Sequence, residues 1–217
     1  MACIDFVTLE VADPTAAQDF YAKAFGLGPE LRLRPAQAAT SGFRGFTLSL
    51  TVSQPATVSA LYAAALDAGA TPLKPAAKSL WGFGGVVQAP DGTIWKIATS
   101  KKRNSGPATR EIDKLVLLLG AEDVPASKRF YVDHGLSVAR SFGRKYVEFE
   151  ASSGAVTLGL YGRRALAKDA GVAHDGSGSH RLAIGSDAGP FTDPDGFEWE
   201  AATIAVDRVG EAITSSV

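Results

Sequence analysis

The stretch IDFVTLEVADPTAAQDFYAKAF, residues 4–25, decides the fold. Val7, Leu9 and Val11 alternate with polar residues, the pattern of a strand with one buried face. Asp13 can cap a following helix, because its carboxylate accepts hydrogen bonds from free backbone N–H groups. A helix with apolar residues at helical spacing then ends at the glycine that follows residue 25. The stretch therefore predicts a strand followed directly by an amphipathic helix.

The same arrangement returns later in the chain. IDKLVLLLGAEDVPASKRFYVDHGL occupies residues 112–136, and APDGTIWKIA at 89–98 recurs as DPDGFEWEAA at 193–202. Two similar units predict a tandem repeat. We assign the first unit to residues 1–100, a linker to 101–110, the second unit to 111–205 and a tail to 206–217.

Composition and charge restrict the range of partners. The formal net charge is −1, which gives no electrostatic basis for nucleic-acid binding. No apolar run reaches the roughly 18 residues of a membrane span, so no membrane partner is expected. One cysteine, Cys3, and an N-terminus without a basic region favour a cytoplasmic location.

These motifs resemble the glyoxalase/bleomycin-resistance (vicinal oxygen chelate) superfamily. The resemblance rests on the opening strand, the Phe-Tyr pair of the helix, and the run at residues 50–98 that ends in PDGTIWKIA. It implies an α/β (α+β) fold of tandem βαβββ modules, whose curved mixed sheets cup a pocket. In that superfamily the pocket commonly holds a divalent metal, bound by His early in a strand and Glu late in a strand.

The first unit lacks suitable ligands at the positions that the resemblance implies. Those positions hold Phe6, Phe46 and Lys96. Two aromatic rings and a cation do not bind a divalent ion. We therefore expect no metal in the first unit.

The second unit retains two ligand types. Its corresponding positions hold Lys114, His180 and Glu200. His180 and Glu200 could be metal ligands, a catalytic acid–base pair, or a polar pair at a strand edge. We expect no cofactor, and a divalent metal in the second unit remains the alternative.

Aromatic residues suggest a ligand pocket. The predicted pocket residues are Phe6, Phe46, Trp81, Phe83 and Trp95. Trp81 and Phe83 lie in a glycine-rich segment before a predicted strand, where the rings could line a cavity. Ordinary core packing is the alternative for each of them.

The two units differ in length. Ile4 and Phe46 are 42 residues apart, against 68 for Ile112 and His180. The first unit is thus short in its leading half, and the second is short in its trailing half. A sheet edge left by this shortening could be covered by the other unit or by a second copy, so a homodimer is one expectation.

The leading hypothesis is a glyoxalase-like protein that binds a small organic molecule in an aromatic-lined cleft without metal. The first alternative is a metal-dependent lyase or dioxygenase that uses His180 and Glu200. A partner-dependent regulatory module is the second alternative. Whether the chain is an enzyme stays open at this point, because one fold supports several functions.

Overall fold

The computed structural model describes residues 2–151 and 155–202, so the predicted tail at 206–217 lies outside the described residues. The helices are α1 Pro14–Ala24, α2 Pro55–Asp67, α3 Val124–Asp133 and α4 Arg163–Ala170. The strands of the first unit are β1 Ile4–Val11, β2 Leu31–Pro35, β3 Thr40–Gly42, β4 Phe46–Thr51, β5 Thr71–Ser79, β6 Gly82–Gln88 and β7 Ile94–Thr99. The strands of the second unit are β8 Lys114–Ala121, β9 Val138–Phe142, β10 Tyr146–Phe149, β11 Val156–Gly162, β12 Gly176–Gly178, β13 Leu182–Ser186, β14 Phe191–Thr192 and β15 Glu198–Ala201.

The predicted combination of helices with a mixed sheet is confirmed, and thirteen of these strands form one sheet. Eight of them follow the order β5-β6-β7-β4-β8-β11-β10-β9, which we call the eight-stranded part. One half of it is β4 with α2 and β5–β7, and the other half is β8 with α3 and β9–β11. Each half is a complete βαβββ module, one from each sequence unit.

The two modules meet through antiparallel pairing of β4 with β8. The register runs from Phe46 opposite Leu119 to Thr51 opposite Lys114. The trailing half of the first unit therefore pairs with the leading half of the second, across the predicted linker.

The remaining five strands follow the order β2-β1-β13-β15-β14, which we call the five-stranded part. After α1 the chain enters β2, which lies parallel to β1. β13 pairs antiparallel with β1 and parallel with β15. The five-stranded part thus combines the two shortened halves, and a contact between Ile4 and Val156 joins it to the eight-stranded part.

The main core lies between one face of the sheet and α1–α3. It includes Val7 and Leu9 of β1, Leu48 of β4 and Leu117 of β8, all fully buried. Burial of apolar side chains at alternate strand positions is the principal stabilising term. We call the opposite face of the sheet the inner face.

The N-terminus of α1 forms as the sequence predicts, and α3 begins with a cap of the same kind. The Asp13 carboxylate accepts hydrogen bonds from the backbone N–H groups of Thr15 and Ala16. Asp123 does the same for Ala126 at the start of α3. These bonds satisfy donors that a helix leaves free at its first turn. Among the described residues, no helix is long and apolar enough to cross a membrane.

We expect Leu117→Ala to lower the free energy of unfolding by about 2–5 kcal/mol, because it leaves a cavity between the two modules. Leu117 lies directly opposite Leu48. Val132→Ala on α3 is the control, since Val132 is 45% exposed and its truncation should cost below about 1 kcal/mol. Urea unfolding followed by circular dichroism measures both, and equal losses would contradict a core centred on the β4–β8 pair.

Candidate functional site

Helix α4 lies on the inner face of the eight-stranded part. Its apolar side chains form a second core, separate from the main one. This second core contains Phe43, Val86, Ile94, Leu166, Ala167 and Ala170. The centre of the cup that the resemblance predicts is therefore filled by the chain's own helix.

Two lysines of the sheet hold the C-terminal end of α4. Lys74 Nζ donates to the main-chain carbonyl oxygens of Lys168 at 2.8 Å and Asp169 at 2.6 Å. Lys96 Nζ contacts Asp169 Oδ2 at 2.6 Å. Cations are favourable at a helix C-terminus, where carbonyl oxygens lack helical partners. The predicted ligand position Lys96 thus belongs to the attachment of α4.

An open cleft of about 470 Å³ remains beside α4, over β5, β6 and β7. Its charged and aromatic lining residues are Lys74, Lys78, Trp81, Phe83, Lys96 and Asp169. The charges are three lysines against one aspartate. The cleft therefore combines aromatic surface with an excess of positive charge.

Trp81 stands at the rim of this cleft, in the turn between β5 and β6. Trp81 is 84% exposed, and the neighbouring Leu80 is 78% exposed. The Trp81 backbone N–H donates to Ser79 Oγ at 3.2 Å, which helps to fix the turn. Exposed large apolar side chains beside a cleft are characteristic of binding surfaces.

The five-stranded part carries a charged network on its inner face. Arg34 Nε and Nη2 donate to Glu10 Oε1 at 3.1 and 2.9 Å. Arg34 Nη1 donates to Glu200 Oε2 at 2.8 Å, and Thr8 Oγ1 donates to Glu200 Oε1 at 3.1 Å. Burial opposes the charge of Arg34, but the hydrogen bonds and charges of Glu10 and Glu200 outweigh it and raise the pKa of Arg34. A guanidinium thus lies between the two carboxylates.

His180 lies apart from this network. Its Nδ1 lies 2.5 Å from the carbonyl oxygen of Arg44, and its Nε2 lies 3.1 Å from that of Asp195. The ring stacks on Phe197, with 4.0 Å between centroids. His180 and Glu200 have separate partners, so the structure does not bring the two together as a pair.

The donors at these positions do not fit a divalent metal. Both ring nitrogens of His180 face carbonyl oxygens, and both carboxylate oxygens of Glu200 accept hydrogen bonds. A metal ligand needs a free lone pair directed at the ion. Within residues 2–151 and 155–202 there is no group of three His, Cys, Asp or Glu side chains that could hold one.

The five predicted pocket aromatics do not line one cavity. Trp81 and Phe83 line the cleft, whereas Phe46 borders a second cavity near the start of β4. Trp95 is fully buried in the main core, 5.0 Å from Phe25 between ring centroids. Phe6 lies on the inner face of the five-stranded part, separate from the other four.

A stacked arginine covers Phe6. Arg32 Cζ lies 3.3 Å from the centroid of its ring. A Cβ atom at Gly185 would come within 2.2 Å of Phe6 Cζ, so glycine is required there. Phe6 therefore fills inner-face space that a smaller side chain would leave open.

One positional match from the sequence is wrong. Phe46 packs in the main core with Leu48, whereas Phe6 lies on the face opposite Val7. Successive strand residues point to opposite faces, so the inner-face counterpart of Phe6 is Thr47. Thr47 is also a weak candidate for a metal ligand.

Sequence reasoning missed Arg34 and the contacts of α4. The Arg34 signal was present, because Leu31 and Leu33 alternate with Arg32 and Arg34 in LRLRP. That alternation predicts a strand with one charged face. No comparable local signal places Lys74 beside residues 168–169, since the contact joins positions 94 residues apart.

The sequence matches no protein-family model and no curated protein. Solved structures do match in fold. Glyoxalase I from Zea mays shows 16% sequence identity and a TM-score of 0.59, covering 92% of this chain and 91% of that chain. A putative dioxygenase from Bacillus subtilis shows 13% identity and a TM-score of 0.52, covering 84% of this chain and 69% of that chain. At this identity the similarity shows the fold, and the predicted glyoxalase-type fold is confirmed.

We expect Arg34 to couple more strongly to Glu10 than to Glu200. The Glu10 side chain is 12% exposed and the Glu200 side chain 36%, so water screens the second pair more. Double-mutant cycles with Arg34→Met, Glu10→Gln and Glu200→Gln should give about 1–2 kcal/mol for the first pair and below about 1 kcal/mol for the second. Urea unfolding measures the coupling, and the reverse order would contradict the geometry.

Proposed function

Starting from a chain with the glyoxalase fold, we propose that it binds a small anionic aromatic molecule in the cleft beside α4, without a metal. The observation that carries the proposal is the joint lining of the cleft by Trp81, Phe83 and the three lysines. The cleft's volume of about 470 Å³ lies within the roughly 300–1,000 Å³ of small-molecule sites.

The charge of the cleft favours an anion. Lys96 is paired with Asp169, and Lys74 is bound to carbonyl oxygens at the end of α4. These carbonyl oxygens are uncharged partners, so the Lys74 charge is not cancelled. Lys78 adds a further positive charge to the lining. A negatively charged group would therefore be attracted into the cleft, and a cationic ligand would be repelled.

The aromatic residues favour a planar ligand. Trp81 at the rim offers its ring to a ligand and loses little conformational entropy on binding, and Phe83 borders the same cleft while packing against the main core. Aromatic pairs add about 0.5–1.5 kcal/mol beyond the area that they bury. A planar ring system next to Trp81 would use this surface.

A metal-dependent lyase or dioxygenase using His180 and Glu200 is the competing function. This function requires that His180 and Glu200 both direct a free ligand atom at the same ion. In the structure each of them has another partner. Binding of an ion would have to break the Arg34–Glu200 contact and both contacts of the imidazole. Ligand binding without a metal requires none of these contacts to break.

We expect naphthalene-2-sulfonate to bind and to change the fluorescence of Trp81. Trp81 is exposed, whereas Trp95 and Trp199 are 0% and 3% exposed and should not respond. Trp81→Ala should weaken binding about threefold to tenfold, since it removes one aromatic contact. Isothermal titration calorimetry measures the affinity, and the loss of the fluorescence change in Trp81→Ala identifies the responding tryptophan.

Phe142→Ala is the matched control, because Phe142 is an exposed aromatic residue on β9 and does not line the cleft. Naphthalene-2-sulfonamide has the same ring without the charge and should bind more weakly than the sulfonate. Equal binding of both compounds would refute the anionic part of the proposal. An unchanged affinity in Trp81→Ala would refute the cleft as the binding place.

We also expect protein purified without a tag or chelator to acquire no stoichiometric zinc, nickel, manganese or iron, because the candidate ligands have other partners. Mass spectrometry of dialysed samples gives the metal content. About one ion per chain, absent from a His180→Ala, Glu200→Ala double variant, would support the metal-dependent function instead.

A further inference from the structure

Strand β9 forms one edge of the eight-stranded part. Its only paired neighbour among the described strands is β10. Four of its five residues, 139–142, are exposed. One side of β9 therefore carries backbone N–H and C=O groups that no other described strand pairs, and such an edge can accept a further strand.

The other three edges of the sheet are better protected. β5 contains Pro72 and Pro75 and has two register shifts against β6. β14 has two residues, and β2 ends in Pro35. Proline lacks the N–H group that a ladder needs, and irregular or very short strands limit pairing. β9 has five residues, no proline and a single register shift against β10, so it is the least protected edge.

Exposed apolar side chains lie on both sides of this edge. The described residues include four large apolar side chains that are exposed, and two of them, Leu80 and Trp81, are at the cleft. The other two are Val132 on α3, 45% exposed, and Phe142 on β9, 63% exposed. Phe142 lies on the inner face, directly opposite Tyr146, with 6.1 Å between the ring centroids. Exposed apolar side chains beside an unpaired edge indicate a surface that a partner covers.

Val132 lies on the helix side of the same edge. Lys128 Nζ donates to Ser141 Oγ at 3.4 Å, which places this part of α3 beside β9. Val132 follows Lys128 by four residues and therefore lies on the same side of the helix. Since side chains of a strand alternate between the two faces, a strand added to β9 would contact Phe142 on one face and Val132 on the other.

Every charged residue of β9 and of the turn after it is basic. These residues are Arg140, Arg144 and Lys145, and all three are exposed. None of the described carboxylates lies within 4 Å of their nitrogens. Glu148, opposite Arg140, belongs to β10 and accepts a hydrogen bond from the Tyr146 hydroxyl at 3.1 Å. The edge therefore carries positive charge that an acidic partner would complement.

These charges disfavour a second copy of this chain as the occupant. Two β9 strands paired antiparallel about their centres would bring the Arg140 side chains of both copies together. Like charges directly opposite each other destabilise a strand pair. The same repulsion excludes basic segments and leaves acidic ones as partners.

A nucleic acid is a poorer match than a peptide. The unpaired N–H and C=O groups of β9 alternate along the edge, and the backbone of another strand presents the complementary groups at the same spacing. A phosphate backbone offers acceptors but no donors for the C=O groups. The formal net charge of −1 also gives no general attraction for nucleic acid.

We propose that β9 binds an extended acidic segment of a partner protein as an added strand. Its acidic side chains lie beside Arg140 and the basic turn, and its apolar side chains contact Phe142 and Val132. Main-chain hydrogen bonds supply the affinity, and the side chains supply the specificity. None of these three residues lines the cleft, so the inference is independent of small-molecule binding there.

The probe is a fluorescein-labelled peptide of sequence EVDVEVD, titrated with the full chain and followed by fluorescence anisotropy. It should bind more tightly than KVKVKVK. Arg140→Glu should weaken binding of the acidic peptide about threefold to thirtyfold, because it replaces an attraction by a repulsion, and should strengthen binding of the basic one. Phe142→Ala should weaken binding about twofold to fivefold. Arg103→Glu is the matched control, since Arg103 is an exposed arginine of the linker, and should leave peptide binding unchanged.

N-methylated peptides separate strand addition from general charge attraction. In an added strand, the N–H groups of alternate residues point to β9 and the others point to solvent. Of two acidic peptides that are N-methylated at the two alternate sets of positions, one should lose binding and the other should keep it. Equal effects of the two methylation patterns would overturn the proposal. Both comparisons use the wild-type chain, so they decide even if a variant fails to fold.

Equal affinity for the acidic and basic peptides, or an unchanged affinity in Arg140→Glu, would also overturn the proposal. So would tighter binding of a thymidine oligonucleotide than of the acidic peptide. Sedimentation velocity tests the second copy: a dimer that Phe142→Ala abolishes would assign this edge to self-association instead. Saturating naphthalene-2-sulfonate and the Trp81→Ala variant should leave peptide binding unchanged, so a failure at the edge is distinguishable from a failure of the cleft.

Discussion

The antiparallel pairing of β4 with β8 is the contact on which the rest of the molecule depends. It joins a complete βαβββ module of the first unit to a complete one of the second, and so builds the eight-stranded part. The two shortened halves are then left to pair with each other through β1 and β13. Six residue pairs, between residues 46–51 of one strand and 114–119 of the other, join the trailing half of the first unit to the leading half of the second. Separation of β4 from β8 would divide the main core between them.

Helix α4 changes what the eight-stranded part can accommodate. A curved sheet offers its inner face to a ligand, but here Leu166 and Ala170 occupy the middle of that face. Contacts from Lys74 and Lys96 fix the end of the helix. Space remains at two places beside it, the cleft near Trp81 and the cavity near Arg44. Their linings differ, because the cleft extends to the ends of β4 and β7 at Thr51 and Thr99, whereas the cavity lies at the starts of the same strands, at Phe46 and Ile94.

The two parts of the sheet also differ in how their arginine side chains are paired. In the five-stranded part, Arg34 satisfies Glu10 and Glu200, so the carboxylates are neutralised by a cation of the chain itself. At the cavity, Arg44 has no carboxylate partner: Nη2 donates to the carbonyl oxygen of Asp91, and the shielded Nη1 has no hydrogen-bond partner. The first arrangement is complete without a ligand.

The sequence by itself determined the strand and helix at residues 4–25 and their recurrence at 112–136, because alternation and helical spacing are local properties. The glyoxalase-type fold was implied by the resemblance of these motifs to a known superfamily. It also showed that Phe6, Lys96 and Lys114 are unsuitable metal ligands. The tertiary structure alone decided that Trp95 is a core residue, that His180 and Glu200 lie apart, and that α4 fills the inner face. Each of these depends on which strands pair and on which face a residue points to. A shift of one residue reverses that face, as it does at Phe46 and Thr47, and contacts between distant residues leave no local pattern.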